Sequence, residues 1–264
     1  MVREEGQTVK ENMRIFPFYF IKKLYKLKYL THKYLFKTTK PIKSVYDVYL
    51  TPNFYDTTFM YYFKGTYGFF LRDFIKNISS ATTFIDIGAN QGLFSILAGK
   101  NEHIKKIIAF EPTKKTANLL RANLACNKIE NCLVVEKGIS DKKGFLNLNV
   151  ADGHSGKNTF RTNELDKNIV SEKVEIINHK DIELLVQGNT NYVIKIDVEG
   201  HEEVVIHELT KCSFIQNVSY IFCEIDSNWV DVERLKKKLT SVGFTAFKKI
   251  GKGSVHYDML ISRN

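Results

Sequence analysis

A chain of 264 residues with 44% hydrophobic content can enclose the core of one α/β domain with an appendage. No apolar run approaches the ~18–20 residues that crossing a bilayer requires, and lysines interrupt any signal-like stretch at the start, so a cytoplasmic location is expected. The net charge of +10 is unevenly held: residues 1–45 contain eleven Lys/Arg against three Glu, leaving the body near +2, which excludes a generally basic nucleic-acid-binding surface.

Residues 1–12 are polar and expected to be disordered. Between Arg14 and Lys43, aromatics and lysines interleave, with Leu24, Leu27 and Leu30 on one side of a helix that starts near Pro17 and ends at Pro41. Three readings fit this 1–43 extension. It is an interfacial helix attracted to anionic lipid at the inner membrane face, an amphipathic arm packed on the body, or a partner-binding segment. The rest, 44–264, reads as one domain with an N-terminal cover: Val45 to Leu50 alternates like a strand, and Phe69 to Ile78 like a helix.

From there strands are expected near 83–87, 106–111, 132–137, 144–149, 173–178, 191–197, 219–225, 244–249 and 255–262. Helices are expected near 92–100, 114–127, 180–187, 202–210 and 230–241. Strands alternating with helices predict a doubly wound, mostly parallel sheet. Gly251 and Gly253 between the last two strands predict a hairpin, hence an antiparallel last strand. Cys126, Cys132, Cys212 and Cys223 show neither C-x-x-C nor zinc spacing and read as buried free thiols.

The segment Phe84-Ile85-Asp86-Ile87-Gly88-Ala89-Asn90-Gln91-Gly92 joins an apolar strand to a helix through a glycine turn. Glycine lets the backbone approach a ligand, and the helix start behind it offers N–H groups. A phosphate would be repelled by Asp86, whereas the cationic ammonium and sulfonium of S-adenosylmethionine would be attracted. Neither G-x-G-x-x-G nor a P-loop is present. Glu111, at the end of the second strand before Pro112, suits ribose hydroxyls.

A second segment, Tyr192-Val193-Ile194-Lys195-Ile196-Asp197-Val198-Glu199-Gly200-His201-Glu202, places charge at the carboxyl end of a buried strand, where ligands of open α/β sheets bind. Glu224 ends the next strand and is expected beside Lys195 and Asp197. A purely structural ion pair among these residues is the competing reading. Asp197, Glu224 and Asp226 are carboxylates that suit Mg²⁺, but nothing in the sequence fixes their geometry, and no metal is expected.

These segments, with Ser95 and Gly138-Ile139-Ser140-Asp141, resemble the FkbM methyltransferases over roughly residues 80–262. The resemblance implies a class I (Rossmann-like) fold with a seven-stranded sheet. It also implies O-methyl transfer from S-adenosylmethionine, with sugar hydroxyls of glycans or polyketide macrocycles as acceptors. Carried onto this chain, Asp86, Gly88, Ala89, Asn90, Gly92, Glu111 and Pro112 bind the cofactor, Ser140 and Asp141 lie by the adenine, and residues 195–202 lie by the methyl and acceptor. The family often has a Tyr-Glu pair before the first strand; here Thr66-Tyr67-Gly68 stands instead.

The polar loop 151–163 should sit over the site, with Asp152, His154, Asn158 and Arg161 able to hydrogen-bond an acceptor. The expected reaction is in-line displacement assisted by a general base, Asp197 or His201 first, Glu199 or Glu224 next. The expected acceptor is a glycan or polysaccharide hydroxyl. The alternatives are a small secondary metabolite, a nicotinamide-dependent oxidoreductase and a non-catalytic binding protein.

Overall fold

The structure, a computed structural model, describes residues 20–161, 169–188 and 191–263. The readings for residues 1–19, and for Thr162 and Asn163 of the loop, lie outside them. Helix α1 is described over residues 20–30 and closes in a π turn, Thr31–Leu35. Strands β1 (Ile42–Lys43) and β2 (Tyr49–Leu50) form a small antiparallel pair.

The alternation from Val45 to Leu50 is only partly a strand. Residues 45–47 turn, because Asp47 takes φ 62 and its amide donates to Ser44 O at 3.1 Å. Helix α2 (Thr57–Lys64) was not expected from the sequence. Its start is nonetheless signalled: Asp56 Oδ1 accepts from Thr58 N at 2.8 Å, and Gly65 ends the helix at φ 65. Helix α3 (Phe69–Lys76) follows as read.

The remaining elements are β3 (Thr82–Ile87), α4 (Leu93–Gly99), β4 (Ile104–Phe110), α5 (Lys114–Cys126), β5 (Cys132–Val135) and β6 (Gly138–Ile139). Then come β7 (Gly144–Ala151), β8 (Ile169–Ile177), α6 (His179–Leu185), β9 (Asn191–Ile196) and α7 (Glu202–Leu209). Last are β10 (Val218–Asp226), α8 (Val232–Thr240), β11 (Ala246–Ile250) and β12 (His256–Ser262).

Seven strands form one sheet in the order β11-β12-β10-β9-β3-β4-β5. The run from β10 to β5 is parallel, and β12 is antiparallel to both neighbours, as the terminal hairpin predicted. The strands near 144–149 and 173–178 do not join it. They pair as β6-β8-β7 in a separate sheet beside the site.

Every residue of β3 is buried, as expected of a central strand covered on both faces. Its side chains alternate between two cores. Ile85 and Ile87 join Ile194, Ile196 and Val205, while Phe84 joins Val193, Leu93 and Phe59. Each such side chain contributes ~1.5–3 kcal/mol by burial. The second core also holds Tyr29 of α1, so the extension and the cover share one apolar cluster with the sheet. Among the cysteines, all free, Cys212 and Cys223 are buried and Cys126 and Cys132 half-buried.

Asn123 on α5 is fully buried and links the cover to the glycine turn. Its Oδ1 accepts from Thr51 N at 2.7 Å, and its Nδ2 donates to Gln91 O at 2.8 Å. Asn123→Ala strands both partners, so it should cost ~1–3 kcal/mol in urea unfolding. An unchanged midpoint would show that these bonds carry no net stability.

Candidate active site

The carboxyl ends of β3, β4, β9 and β10, capped by α2 and the 151–161 loop, enclose a cavity of about 590 Å³. Its floor is the glycine turn. Gly88 N and Ala89 N both donate to Phe110 O, at 3.0 and 2.9 Å. Asn90 N donates to Glu111 Oε2 (3.0 Å), Gln91 N to Asn90 Oδ1 (2.8 Å) and Gly92 N to Ala89 O (2.9 Å). The turn's amides are therefore spent within the protein. The sequence suggested free N–H groups; the structure leaves none from 88 to 92 for a phosphate.

Gly88 is required by contact as well as by its φ of 75. A Cβ there would lie 1.8 Å from Asp197 O. Asn90 holds φ 51, and its side chain accepts from Ser155 Oγ at 2.9 Å, tying the turn to the loop above.

Asp86 and Lys195 lie beneath this floor rather than in the cavity wall. Asp86 is fully buried; Oδ2 accepts from Ser95 Oγ at 2.6 Å, and Oδ1 faces Lys195 Nζ at 3.4 Å. Lys195 Nζ donates to Gly88 O at 2.7 Å and pairs with Asp197 Oδ2 at 3.2 Å. Burial opposes the lysine's charge, but Asp197 and Asp86 outweigh it and hold the ammonium protonated.

Asp197, Glu199 and Glu224 stand in the wall, with ligand oxygens within 4.8 Å of one another. Burial works against ionising Asp197, yet Lys195 and a hydrogen bond with Glu224 hold it below its ordinary value. Burial and then the Asp197 charge push Glu224 well above the carboxylate range. Glu224 thus holds its proton more tightly than an ordinary carboxyl, while Asp197 gives its proton up more readily. Burial, then Asp197 and Glu202, push Glu199 up to about 8. The backbone of Glu199 sits at φ 50, held by Thr159 Oγ1 donating to its carbonyl at 2.6 Å. The Glu202 carboxylate pins the same turn, accepting from Val198 N and Gly200 N at 3.3 and 3.1 Å.

His201 lines the cavity with its ring against Phe160 at 5.1 Å and its Nε2 3.4 Å from Ser140 Oγ. Burial lowers its pKa; Asp141 and Arg161, rather than the carboxylate cluster, are the charges acting on it. Neither the buried Ser140 nor the exposed Asp141 lines the cavity; the Ser140 hydroxyl lies 3.3 Å from Asp141 Oδ1. Gly138 and Ile139 are the lining residues of that segment.

His154 and Asn158 reach the wall; Arg161 does not. Its guanidinium lies 5.4 Å from the Trp229 ring and donates to Gly200 O and Trp229 O, each at 3.4 Å, so it clamps the 199–201 turn from behind. Asp152 is taken up by Tyr55 Oη at 2.6 Å. Glu111 and Pro112 line the opposite side. Both Glu111 oxygens are oriented by the chain: Thr113 N and Oγ1 donate to Oε1, and Asn90 N to Oε2.

Several wall residues escaped the sequence reading. His256 Nε2 meets Glu224 Oε1 at 2.5 Å, and its Nδ1 lies 4.0 Å from Asp226. Its sequence signal was a charged pair, His256 and Asp258, opening the last strand, and the β10–β12 register sets these opposite Asp226 and Glu224. Thr58, Tyr61 and Tyr62 come from the unforeseen α2, and Thr66 and Tyr67 from the segment where the family's Tyr-Glu pair is lacking.

The arrangement fits a phosphate-free, cationic nucleoside. The turn pressed against Asp197 O has no spare amides, Glu111 lines one side with both carboxylate oxygens held, and carboxylates line the other wall. Fold and site define a class I, S-adenosylmethionine-dependent methyltransferase. The chain belongs to the FkbM methyltransferases: the family model described as Methyltransferase FkbM domain matches residues 86–246.

Methyltransferase sdnD of Sordaria araneosa is 33% identical over 94 residues, covering 35% of this chain and 36% of that protein, so the match spans about a third of the relative. Among solved structures, the N-terminal domain of EvdMO1, crystallised with SAH and D-fucose, is 10% identical over 73% of this chain and 80% of that one, with TM-score 0.46. An rRNA methylase from Streptococcus thermophilus is 12% identical over 74% of this chain and 94% of that one, with TM-score 0.43.

Lys195→Met removes the cation shared by the buried Asp86 and the half-buried Asp197 and should cost ~3–5 kcal/mol in urea unfolding. Wild-type stability would reduce the pair to a passive feature. Glu199 gives a pH signature. Its folded carboxyl binds the proton more tightly than the unfolded one, whose value is 4.5, so ionising it opposes folding. That penalty is absent below the unfolded value and grows as pH rises to about 8. The Tm advantage of ligand-free Glu199→Gln over wild type should therefore widen from about pH 5 to about pH 9, by ~2–4 °C for each kcal/mol in a domain of this size. A difference independent of pH would contradict the raised value.

Proposed function

We propose that this methyltransferase methylates a hydroxyl oxygen, on a glycan or polysaccharide-type acceptor, with Asp197 as general base. The observation that carries the reading is the Lys195–Asp197–Glu224 chain. It places Asp197, paired with the buried Lys195 cation at 3.2 Å and beside an acid that holds its proton tightly, at the wall of the cavity. Asp197 is preferred over His201 because the histidine ring is committed towards Ser140 and Phe160.

When bound, S-adenosylmethionine supplies a methyl group that is already electrophilic. Of the chain's own residues, Glu111 would hold the ribose hydroxyls, and the carboxylate wall would hold the cationic end. The lack of a Cβ at Gly88 lets the turn pack directly against Asp197 O at the edge of that wall. Asp197 takes the acceptor hydroxyl's proton, a contribution of ~10²–10⁴-fold. Glu224 stabilises Asp197 before that step by donating to it, and His256, also in the wall, orients Glu224 through its Oε1. Thr58, Tyr61, Thr66, His154 and Asn158 offer neutral hydrogen-bonding groups around the same cavity, the chemistry that suits a polyhydroxylated acceptor.

Asp197→Asn should keep S-adenosylhomocysteine affinity within a few-fold, while methyl transfer to a glycan acceptor falls ~10²–10⁴-fold. His256→Ala should lower kcat with a smaller effect on cofactor affinity, and His201→Ala should leave the pH profile in place. Mass spectrometry of the product decides the acceptor atom. A methylated nitrogen or carboxylate, or full activity in Asp197→Asn, would overturn the reading.

A further inference from the structure

Helix α1 presents two different faces. One is docked. Tyr29 is buried against Phe54, Phe59 and Phe63, its ring 5.5, 6.3 and 6.1 Å from theirs. Tyr25 packs on Phe63 at 5.6 Å and donates to Ser44 O at 3.2 Å, and Lys28 donates to Lys43 O at 3.0 Å. These contacts hold the helix against α2, whose Thr58, Tyr61 and Tyr62 line the catalytic cavity.

The other face is exposed among the described residues. Phe20, Leu24, Leu27, Leu30 and Tyr34 recur every three or four residues and form one stripe. Leu24 and Leu27 are 61% and 65% exposed. Leu35, the last residue of the π turn, and Phe36 after it are also exposed, at 71% and 64%. Isolated exposed apolar side chains are ordinary, but a contiguous stripe of them marks an interaction surface.

The charge around the stripe selects the partner. Residues 20–43 contain eight lysines and no acidic residue. Lys23 and Lys26 fall between the stripe's own positions, and Lys33, Lys37 and Lys40 follow. Lysine is depleted in protein–protein interfaces, where its strongly hydrated ammonium must be stripped of water. At a lipid surface the same side chains extend to the headgroups while the apolar stripe enters the acyl boundary. Among the described residues no helix is long and apolar enough to cross a membrane, so the geometry is that of a helix lying on the surface.

We propose that the exposed face of α1 binds an anionic phospholipid surface, with the Phe20–Leu24–Leu27–Leu30–Tyr34 stripe inserted at the interface and the surrounding lysines on lipid phosphates. The docked face fixes α2, and with it one wall of the cavity, next to that surface. This inference stands on the helix alone and needs neither the acceptor class nor the identity of the base.

The test uses the full chain and vesicles of phosphatidylcholine with or without phosphatidylglycerol. Cosedimentation should appear with phosphatidylglycerol at low salt, weaken in high salt and be absent with phosphatidylcholine alone. Leu24→Asp combined with Leu27→Asp should abolish it. Lys23→Glu with Lys26→Glu should weaken it by at least about tenfold. In both variants the thermal shift given by S-adenosylhomocysteine should persist, which separates loss of docking from loss of fold.

Failure of the full chain to sediment with anionic vesicles at low salt overturns the proposal, as does wild-type binding by the leucine variant. A third result also overturns it: a concentration-dependent dimer that ignores vesicles and is dissolved by the same leucine substitutions would make the stripe a contact between copies of this chain.

Discussion

The buried ammonium of Lys195 is the constraint around which the site is arranged. It bonds the carbonyl of Gly88, pairs with Asp197 at the end of its own strand and faces Asp86 on the neighbouring strand. One cation thus joins the carboxyl ends of β3 and β9 at the point where the glycine turn leaves the sheet. A charge placed there without partners would be expelled or neutralised. With two carboxylates and a carbonyl around it, it stays protonated, and the excess negative charge is passed outwards. Asp86 is held below by Ser95, and Asp197 is left ionised at the cavity wall.

The next carboxylates answer to that excess. Burial first, and the Asp197 charge second, raise Glu224, Glu199 and Asp258, Asp258 to about 6. Four acids converge on a space that Lys195 reaches only from beneath, so they cannot all ionise at neutral pH. Glu199 and Glu224 therefore hold their protons more tightly than Asp197 does. A positively charged ligand entering the cavity relieves the same repulsion, since it supplies the charge the wall lacks. A cation placed beside Glu199 would favour the carboxylate form that burial and the neighbouring acids resist.

Much of this was legible in the sequence because it is local. An apolar run ending in Asp86 and Gly88, and another ending in Lys195 and Asp197, each announce a buried strand interrupted by charge, and strand order brings the two together. The antiparallel last strand followed from glycines at a hairpin. Pairing between distant elements was less legible. The strands near 144–149 and 173–178 carry the same alternation whether they extend the main sheet or form their own, and only the fold decides that β7 pairs β8 with β6 at its flank. Helix α2 begins in a run of aromatic and β-branched residues, Thr57-Thr58-Phe59-Met60-Tyr61-Tyr62-Phe63, whose propensity points to a strand. The Asp56 cap and packing of Phe59 and Phe63 under α1 override it.

Residue roles diverged from sequence position for the same reason. Arg161 lies in a polar loop next to His154 and Asn158, which suggested a contact with the acceptor. Trp229, sixty-eight residues away, captures its guanidinium and turns it into a clamp on Gly200. His256 shows the converse: unremarkable in an edge-proximal strand, it reaches Glu224 because β12 runs antiparallel to β10 and sets His256 opposite Asp226. The clamp and the histidine act on opposite ends of one unit. Arg161 and Thr159 hold the Glu199–Gly200 turn in a left-handed path that a glutamate adopts only under restraint, and His256 fixes the acid that shares a proton with Asp197. The carboxylate cluster is consequently rigid from both sides, and its position relative to the glycine turn is set by backbone contact at Gly88 rather than by any side chain that could relax.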